Sequence, residues 1–267
     1  MYRLFFQIIL LGSRYLTPAG RTLADVKRST DMDDRTEKLE KLEVYFDRRY
    51  KEKKVLNLLI GAMIIVMCVF ALIYMANIDR EGLLMLRWMT VDGTLFTLIL
   101  TLFFFVVNIV ELSRNTELTR RAVYFTRLSS AVAESVIIIV VLISQLPVFP
   151  MHMHIARPDM FFMHIAIPVL VIASFTMNDS PLGRLSRVET FYGTSYVTFY
   201  AVIILSLIGS GVIRREYIPY GFLDIKAMSI PVIMATVAVF YVMGYALSAG
   251  LSKMNRKLYW RWFRPGE

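Results

Sequence analysis

Apolar residues in this chain gather into six long runs, each bounded by short stretches rich in Lys, Arg, Asp, Gly or Pro. A bilayer core takes about 20 residues of helix, and every run comes close to that length. The pattern predicts spans at Val55–Met75, Thr90–Val110, Leu128–Leu146, Phe161–Met177, Thr194–Ile213 and Ile230–Gly250. The expected fold is all-α, an integral membrane bundle of six transmembrane helices. Residues 1–53 read as a separate N-terminal region, 54–252 as the membrane domain and 253–267 as a basic tail. Within the first region Tyr2–Leu11 is apolar but too short to span, and no small-residue cleavage motif closely follows it. Ser13–Asp34, with Pro18 and Gly20, reads as loop. Asp33–Lys53 reads as a charged lead-in helix, with Leu39, Leu42, Phe46 and Tyr50 on one face. No internal repeat of the inverted-repeat transporter kind is visible.

Composition reinforces the membrane reading: 57% of the 267 residues are hydrophobic. The formal charge of +9 would point a soluble chain toward nucleic acid. Here the basic residues flank the apolar runs, where they set topology and meet anionic headgroups, so membrane lipid is the expected partner and nucleic acid is not. Seventeen Lys and Arg fall on one side of the six runs, including Lys53, Lys54, Arg114, Arg121 and Lys253. Six fall on the other: Arg80, Arg87, Arg157, Arg214, Arg215 and Lys226. The positive-inside rule then puts both termini in the cytoplasm. The single cysteine, Cys68, lies in an apolar run and supports neither a disulfide framework nor a thiolate metal site. Met151-His152-Met153-His154 has copper-compatible donors, but two histidines at i, i+2 in a loop make no closed ligand set. No metal or cofactor is expected. The chain has no G-x-S-x-G elbow, H-E-x-x-H pair or Walker A loop, which removes the commonest serine-hydrolase, zinc-protease and NTPase readings.

Candidate chemistry begins at Met160–Asp179, an apolar stretch in which, short of the terminal Asp179, one titratable residue, His164, lies a turn inside. An ionisable group within a span needs a cavity or a partner and is a functional candidate for that reason. Pro168, four residues on, has no N–H to offer the carbonyl of His164. The predicted topology places three separate pieces of sequence at the outer level: Thr90 with Arg87 and Asp92, then His164, then the loop Arg214–Ser229 with Tyr220 and Asp224. A threonine hydroxyl becomes a nucleophile when a base takes its proton, and histidine suits that task near neutrality. A Thr90–His164 dyad at the membrane surface can attack an ester whose acyl chain lies among the helices, with Arg87 or a freed backbone group facing the developing oxyanion. The competing reading of Thr90 is a helix N-cap. Asp224 is expected to pair with Arg87 and so tie the loop to the second span. Glu134, inside the third span, is read either as a proton relay or as a carboxylate that snorkels or pairs with Ser129, Ser130 or a nearby arginine.

These residues also carry a resemblance. Arg87-Trp88-Met89-Thr90, His164 with Pro168, and Pro219-Tyr220-Gly221-Phe222-Leu223-Asp224 occur in that order across six spans. In this the chain resembles the bacterial relatives of the androgen-induced and androgen-dependent TFPI-regulating proteins, membrane hydrolases of fatty acid esters of hydroxy fatty acids. The resemblance covers about residues 55 to 255. It implies Thr90 as nucleophile, His164 as base, a lipid-ester substrate and residence in a bacterial cytoplasmic membrane. The chain departs from the relatives just after Thr90, with Gly93 and Thr94 where they often have Ser-Asn. The alternative is a non-enzymatic lipid- or small-molecule-binding protein or transporter, with the same residues lining a polar cavity. The sequence leaves the oligomeric state open.

Overall fold

The computed structural model describes residues 23–79, 82–114, 121–145, 157–182, 184–224 and 227–262. Among them every regular element is helical. We number the helices α1 (Leu23–Asp79), α2 (Met89–Arg114), α3 (Arg121–Val140, with a π-helical turn over Val141–Gln145), α4 (Pro158–Asn178), α5 (Arg187–Gly209) and α6 (Ile230–Trp262). Six segments, one in each, are long and apolar enough to cross a membrane. The chain divides into two compact units, Met1–Arg48 and Arg49–Glu267, and the packing below concerns the second.

Several boundaries differ from expectation. Helix α1 begins at Leu23, so the later part of the predicted Ser13–Asp34 loop is helical. Tyr2–Leu11 and the Met151–His154 cluster lie outside the described residues. The third helix begins at Arg121, ahead of the expected Leu128, and α6 continues through the expected tail to Trp262. The fifth begins at Arg187 because Ser186 and Glu189 form a capping box. The Ser186 hydroxyl accepts from the Glu189 N–H at 3.2 Å, and the Glu189 carboxylate accepts from the Ser186 N–H at 2.8 Å. The S-x-x-E spacing was there to be read in the sequence, upstream of the apolar run that drew the boundary.

Helix α3 is the hub. Two thirds of its apolar window (67%) is buried, and it packs against α2, α4, α5 and α6. Leu128, Ala131, Val132 and Val136 are fully enclosed, as are the neighbouring Ile167 and Phe175 of α4. Close crossings use small residues, as helix pairs in lipid do. A Cβ on Gly193 would stand 2.2 Å from Ser248 Oγ and 3.1 Å from Leu128 Cγ, so a missing side chain sets how near α5 comes to α6 and α3. Beyond this crossing α5 and α6 part. Helix α6 buries Ser248, Leu251, Asn255 and Tyr259 in its second half, while Ile230, Met234, Val239 and Val242 in its first half are exposed.

At the end opposite Thr90 several polar groups are paired across helices. Lys54 of α1 donates to Asn108 Oδ1 at 3.2 Å and forms an ion pair with Glu111, both on α2, with Glu111 fully buried. Arg127 donates through Nε to Asp179 Oδ2 at 2.8 Å and through a terminal nitrogen to Ser174 Oγ at 2.7 Å. Ser174 donates on to Asn57 Oδ1 at 2.9 Å.

Two stability outcomes follow. Lys54→Met strands the buried Glu111 carboxylate and is expected to cost about 3–5 kcal/mol, whereas Lys54→Met with Glu111→Met recovers most of it. Thermal unfolding in detergent measures both. Gly193→Ala is expected to lower stability by about 1–3 kcal/mol through overpacking. Gly250→Ala, where a new Cβ meets nothing within 4 Å, is the neutral control in the same assay.

Candidate functional site

The start of α2 is built from the residues singled out in the sequence. A 3₁₀ turn, Gly82–Arg87, leads into Trp88, whose carbonyl accepts from the Val91 and Asp92 N–H groups at 3.0 Å each. Trp88 therefore occupies the cap position and Thr90 sits inside the first turn, so the N-cap reading of Thr90 fails. First-turn N–H groups have no carbonyl partner within their own helix. Those of Met89 and Thr90, together with the Thr90 side chain, lie about the phenol oxygen of Tyr220.

Tyr220 comes from the loop between α5 and α6. Around it the Pro219–Asp224 segment makes a 3₁₀ turn, Gly221–Leu223, closed by the Leu223 N–H donating to the Tyr220 carbonyl at 2.8 Å. The Tyr220 ring meets Trp88 edge-on at 5.7 Å and stacks on Phe222 at 5.2 Å, and Phe222 lies 5.1 Å from Phe240 of α6. This aromatic run fastens the loop across α2 and α6.

Thr90 and Tyr220 supply polar groups to a cavity of about 90 Å³ where α5 and α6 diverge. Val197, Ala201 and Leu205 form its α5 side and Ile233, Val237 and Phe240 its α6 side. Such a lining accommodates hydrocarbon better than water.

The other predicted residues have distinct surroundings. Arg87 is buried, donates to the Leu84 carbonyl at 3.1 Å, and lies 5.2 Å from the Trp88 ring and 5.7 Å from the Tyr217 ring. Asp224 pairs with Arg215 at 2.8 Å, so the loop closes on itself where an ion pair to Arg87 was expected. The nearer partner wins because both residues sit on one short loop. Asp92 accepts from the Tyr196 hydroxyl of α5 at 2.7 Å. His164 is buried on a π-helical turn, Phe162–Ala166, in which the Ile167 N–H donates to the Phe162 carbonyl five residues back. Pro168 cannot supply the ordinary bond to His164, and the widened turn is the helix's accommodation. That turn packs against α2 and α3, but His164 is not among the residues lining the cavity.

Sequence reasoning passed over two tyrosines of α5. Tyr196 and Tyr200 stand one turn apart on the buried face; Tyr196 holds Asp92, and Tyr200 donates to the Arg87 carbonyl at 2.6 Å. Their i, i+4 spacing was a usable signal. Among the described residues no cluster of three or more His, Cys, Asp or Glu is arranged to hold a metal ion.

An all-helical bundle with six apolar segments of spanning length, carrying a cavity at one end, fits the class of multi-pass membrane proteins. The chain matches no protein-family model, no curated protein and no solved structure.

Burial pushes the Tyr220 phenol up to about 12, against the partly offsetting hydrogen bonds from Met89 and Thr90. A raised folded value means the unfolded chain loses this proton first, so the stabilisation is complete below about pH 10 and declines between about 10 and 12. In an alkaline absorbance titration, the phenolate signal that Tyr220→Phe removes is expected to develop near the upper end of that window.

Proposed function

We propose that the protein is a membrane hydrolase that takes an acyl chain of a lipid ester into the cavity between α5 and α6 and presents the ester to Thr90. The observation that carries this reading is the meeting of a hydroxyl, two first-turn N–H groups and an apolar cavity at the N-terminus of α2. Helix N-termini favour developing negative charge, and unpaired N–H groups there are the donors an oxyanion needs. The Tyr220 phenol stands beside those donors, and an incoming ester takes its place.

In the proposed reaction Thr90 Oγ attacks the ester carbonyl carbon as its proton passes to His164, the base implied by the family resemblance. The tetrahedral oxyanion is held by the Met89 and Thr90 N–H groups. Collapse expels the alkoxide, which takes the proton from His164, and leaves an acyl-threonine. Water, deprotonated by the same imidazole, then releases the fatty acid and restores Thr90. With both termini cytoplasmic, the site faces the outer leaflet of a bacterial cytoplasmic membrane. The proton transfer requires His164 to come within hydrogen-bond reach of Thr90 or to act through one water.

A second reading, lipid binding without hydrolysis, is favoured by two observations: Tyr220 stands beside Thr90 in the cavity wall, and His164 stands outside the cavity lining. Assaying purified protein in detergent on a panel of lipid esters separates the two. The hydrolase reading expects turnover by the wild type, loss to background in Thr90→Ala, and a decrease of about 10²- to 10⁴-fold in folded His164→Ala. An inert wild type that still retains lipid, with retention weakened by Val237→Trp in the cavity wall, establishes the binding reading instead.

A further inference from the structure

Glu134 belongs to none of the chemistry above. It lies about 20 Å along α3 from Arg121 at the 1.5 Å rise of a helix, away from both ends of its span. Its side chain is fully buried. One carboxyl oxygen, Oε1, accepts from the Thr97 hydroxyl at 2.6 Å, and Thr97 Oγ1 lies 3.2 Å from Ser130 Oγ. The other, Oε2, is buried without a hydrogen-bond partner. Of the ionisable groups on the surrounding helices, Cys68 of α1 and Tyr196 of α5 lie near enough to interact with its charge, Tyr196 in turn holds Asp92 of α2, and the π turn of α4 that carries His164 also packs against α3. Among the described residues none of these, and no lysine or arginine, forms an ion pair with Glu134.

A carboxylate enclosed by helices, with no countercharge and one oxygen unbonded, carries the full desolvation cost of its charge. An un-ionised carboxyl in the same place leaves at most one weakly satisfied O–H, a far smaller penalty. Bound sodium would also neutralise it, but the oxygens in place are the Glu134 carboxylate, the Thr97 hydroxyl and, a step away, the Ser130 hydroxyl. Hard cations ask for a fuller oxygen shell than that. The proton is the ligand that fits.

The site also sits on a polar stripe. Thr90, Thr94, Thr97, Thr101, Asn108 and Glu111 are all buried on α2 and recur at spacings of three, four and seven residues, which puts them on one face. Glu134 joins this polar stripe at Thr97. The cavity lies one turn beyond, where Ile137 of the same helix forms part of its wall and stands where a Cβ on Gly93 would meet it at 3.0 Å. Ile137 and Gly93 thus close the contact between the carboxyl and the cavity.

We propose that Glu134 is a proton-binding site inside the membrane domain, with the exchangeable proton on Oε2 and its carboxyl un-ionised at neutral pH. This does not depend on whether Thr90 hydrolyses an ester.

The experiment is infrared difference spectroscopy of the full chain in bilayers at neutral pH, wild type minus Glu134→Gln. The expected result is the carbonyl stretch of an un-ionised carboxylic acid that belongs to Glu134, shifts on exchange into deuterium oxide, and is unchanged when sodium replaces a bulky organic cation. Carboxylate bands at neutral pH in place of that stretch overturn the proposal. Loss of the stretch on adding sodium also overturns it, because the site is then a metal-cation site. Should Glu134→Gln fail to fold, Thr97→Val serves. Removing the hydrogen bond to Oε1 must move the acid stretch to higher frequency, and an unmoved stretch assigns it to another residue and defeats the inference.

Discussion

Arg127 is the residue on which the assembly turns. Its guanidinium, brought inside by α3, joins Asp179 and Ser174 of α4, lies 5.1 Å from the Phe104 ring of α2, and reaches α1 through Ser174 and Asn57. A cation buried this deeply is tolerable only with a carboxylate and further bonds around it. Satisfying it therefore fixes how four helices meet. Beside it the last carbonyls of α4, which a helix leaves without partners, are met by other helices. The Asn255 amide of α6 donates to the Phe175 and Asp179 carbonyls at 2.8 and 2.7 Å, and Lys53 of α1 donates to the Met177 carbonyl at 2.6 Å. In a low-dielectric interior these contacts are demanding, because each unmet group costs more than it would in water.

Tightness at that end is what permits openness at the other. Helix α6 is held through its second half, and the Gly193–Ser248 crossing brings α5 against it there. Past the crossing the two helices diverge, and the space between them is roofed by the Pro219–Asp224 loop and its aromatic contacts. The cavity is thus a consequence of packing elsewhere. Its polar end is supplied by the first turn of α2, where an unpartnered N–H is unavoidable. A hydrocarbon-lined space ending at such donors is chemically suited to a molecule with an apolar tail and a carbonyl.

The sequence was most legible where one physical rule dominates. Pro168 announced a disturbed helix at His164, and the π turn is its result. Thr90, Tyr220 and the Pro219–Asp224 segment were singled out together, and the fold brings the first two into contact. Legibility failed where the outcome depends on which of several partners is nearest. Asp224 was expected to pair with Arg87 and took Arg215 from its own loop. Glu134 was given Ser129, Ser130 or an arginine as candidate partners and took Thr97 of α2. Nothing in either stretch of sequence ranks those options, since the answer is a distance across the bundle.

The sequence by itself determined the number of spanning segments and their apolar length. Burying apolar side chains in lipid is non-directional and is decided by composition along each run. Only the tertiary structure decided which helices are neighbours, which polar groups meet, and that α5 and α6 separate around a cavity. Lipid offers an apolar helix face as good a home as another helix does, so hydrophobicity cannot choose between them. The choice falls to hydrogen bonds, ion pairs and the close approach of small residues, which are directional and exist only once the helices have met.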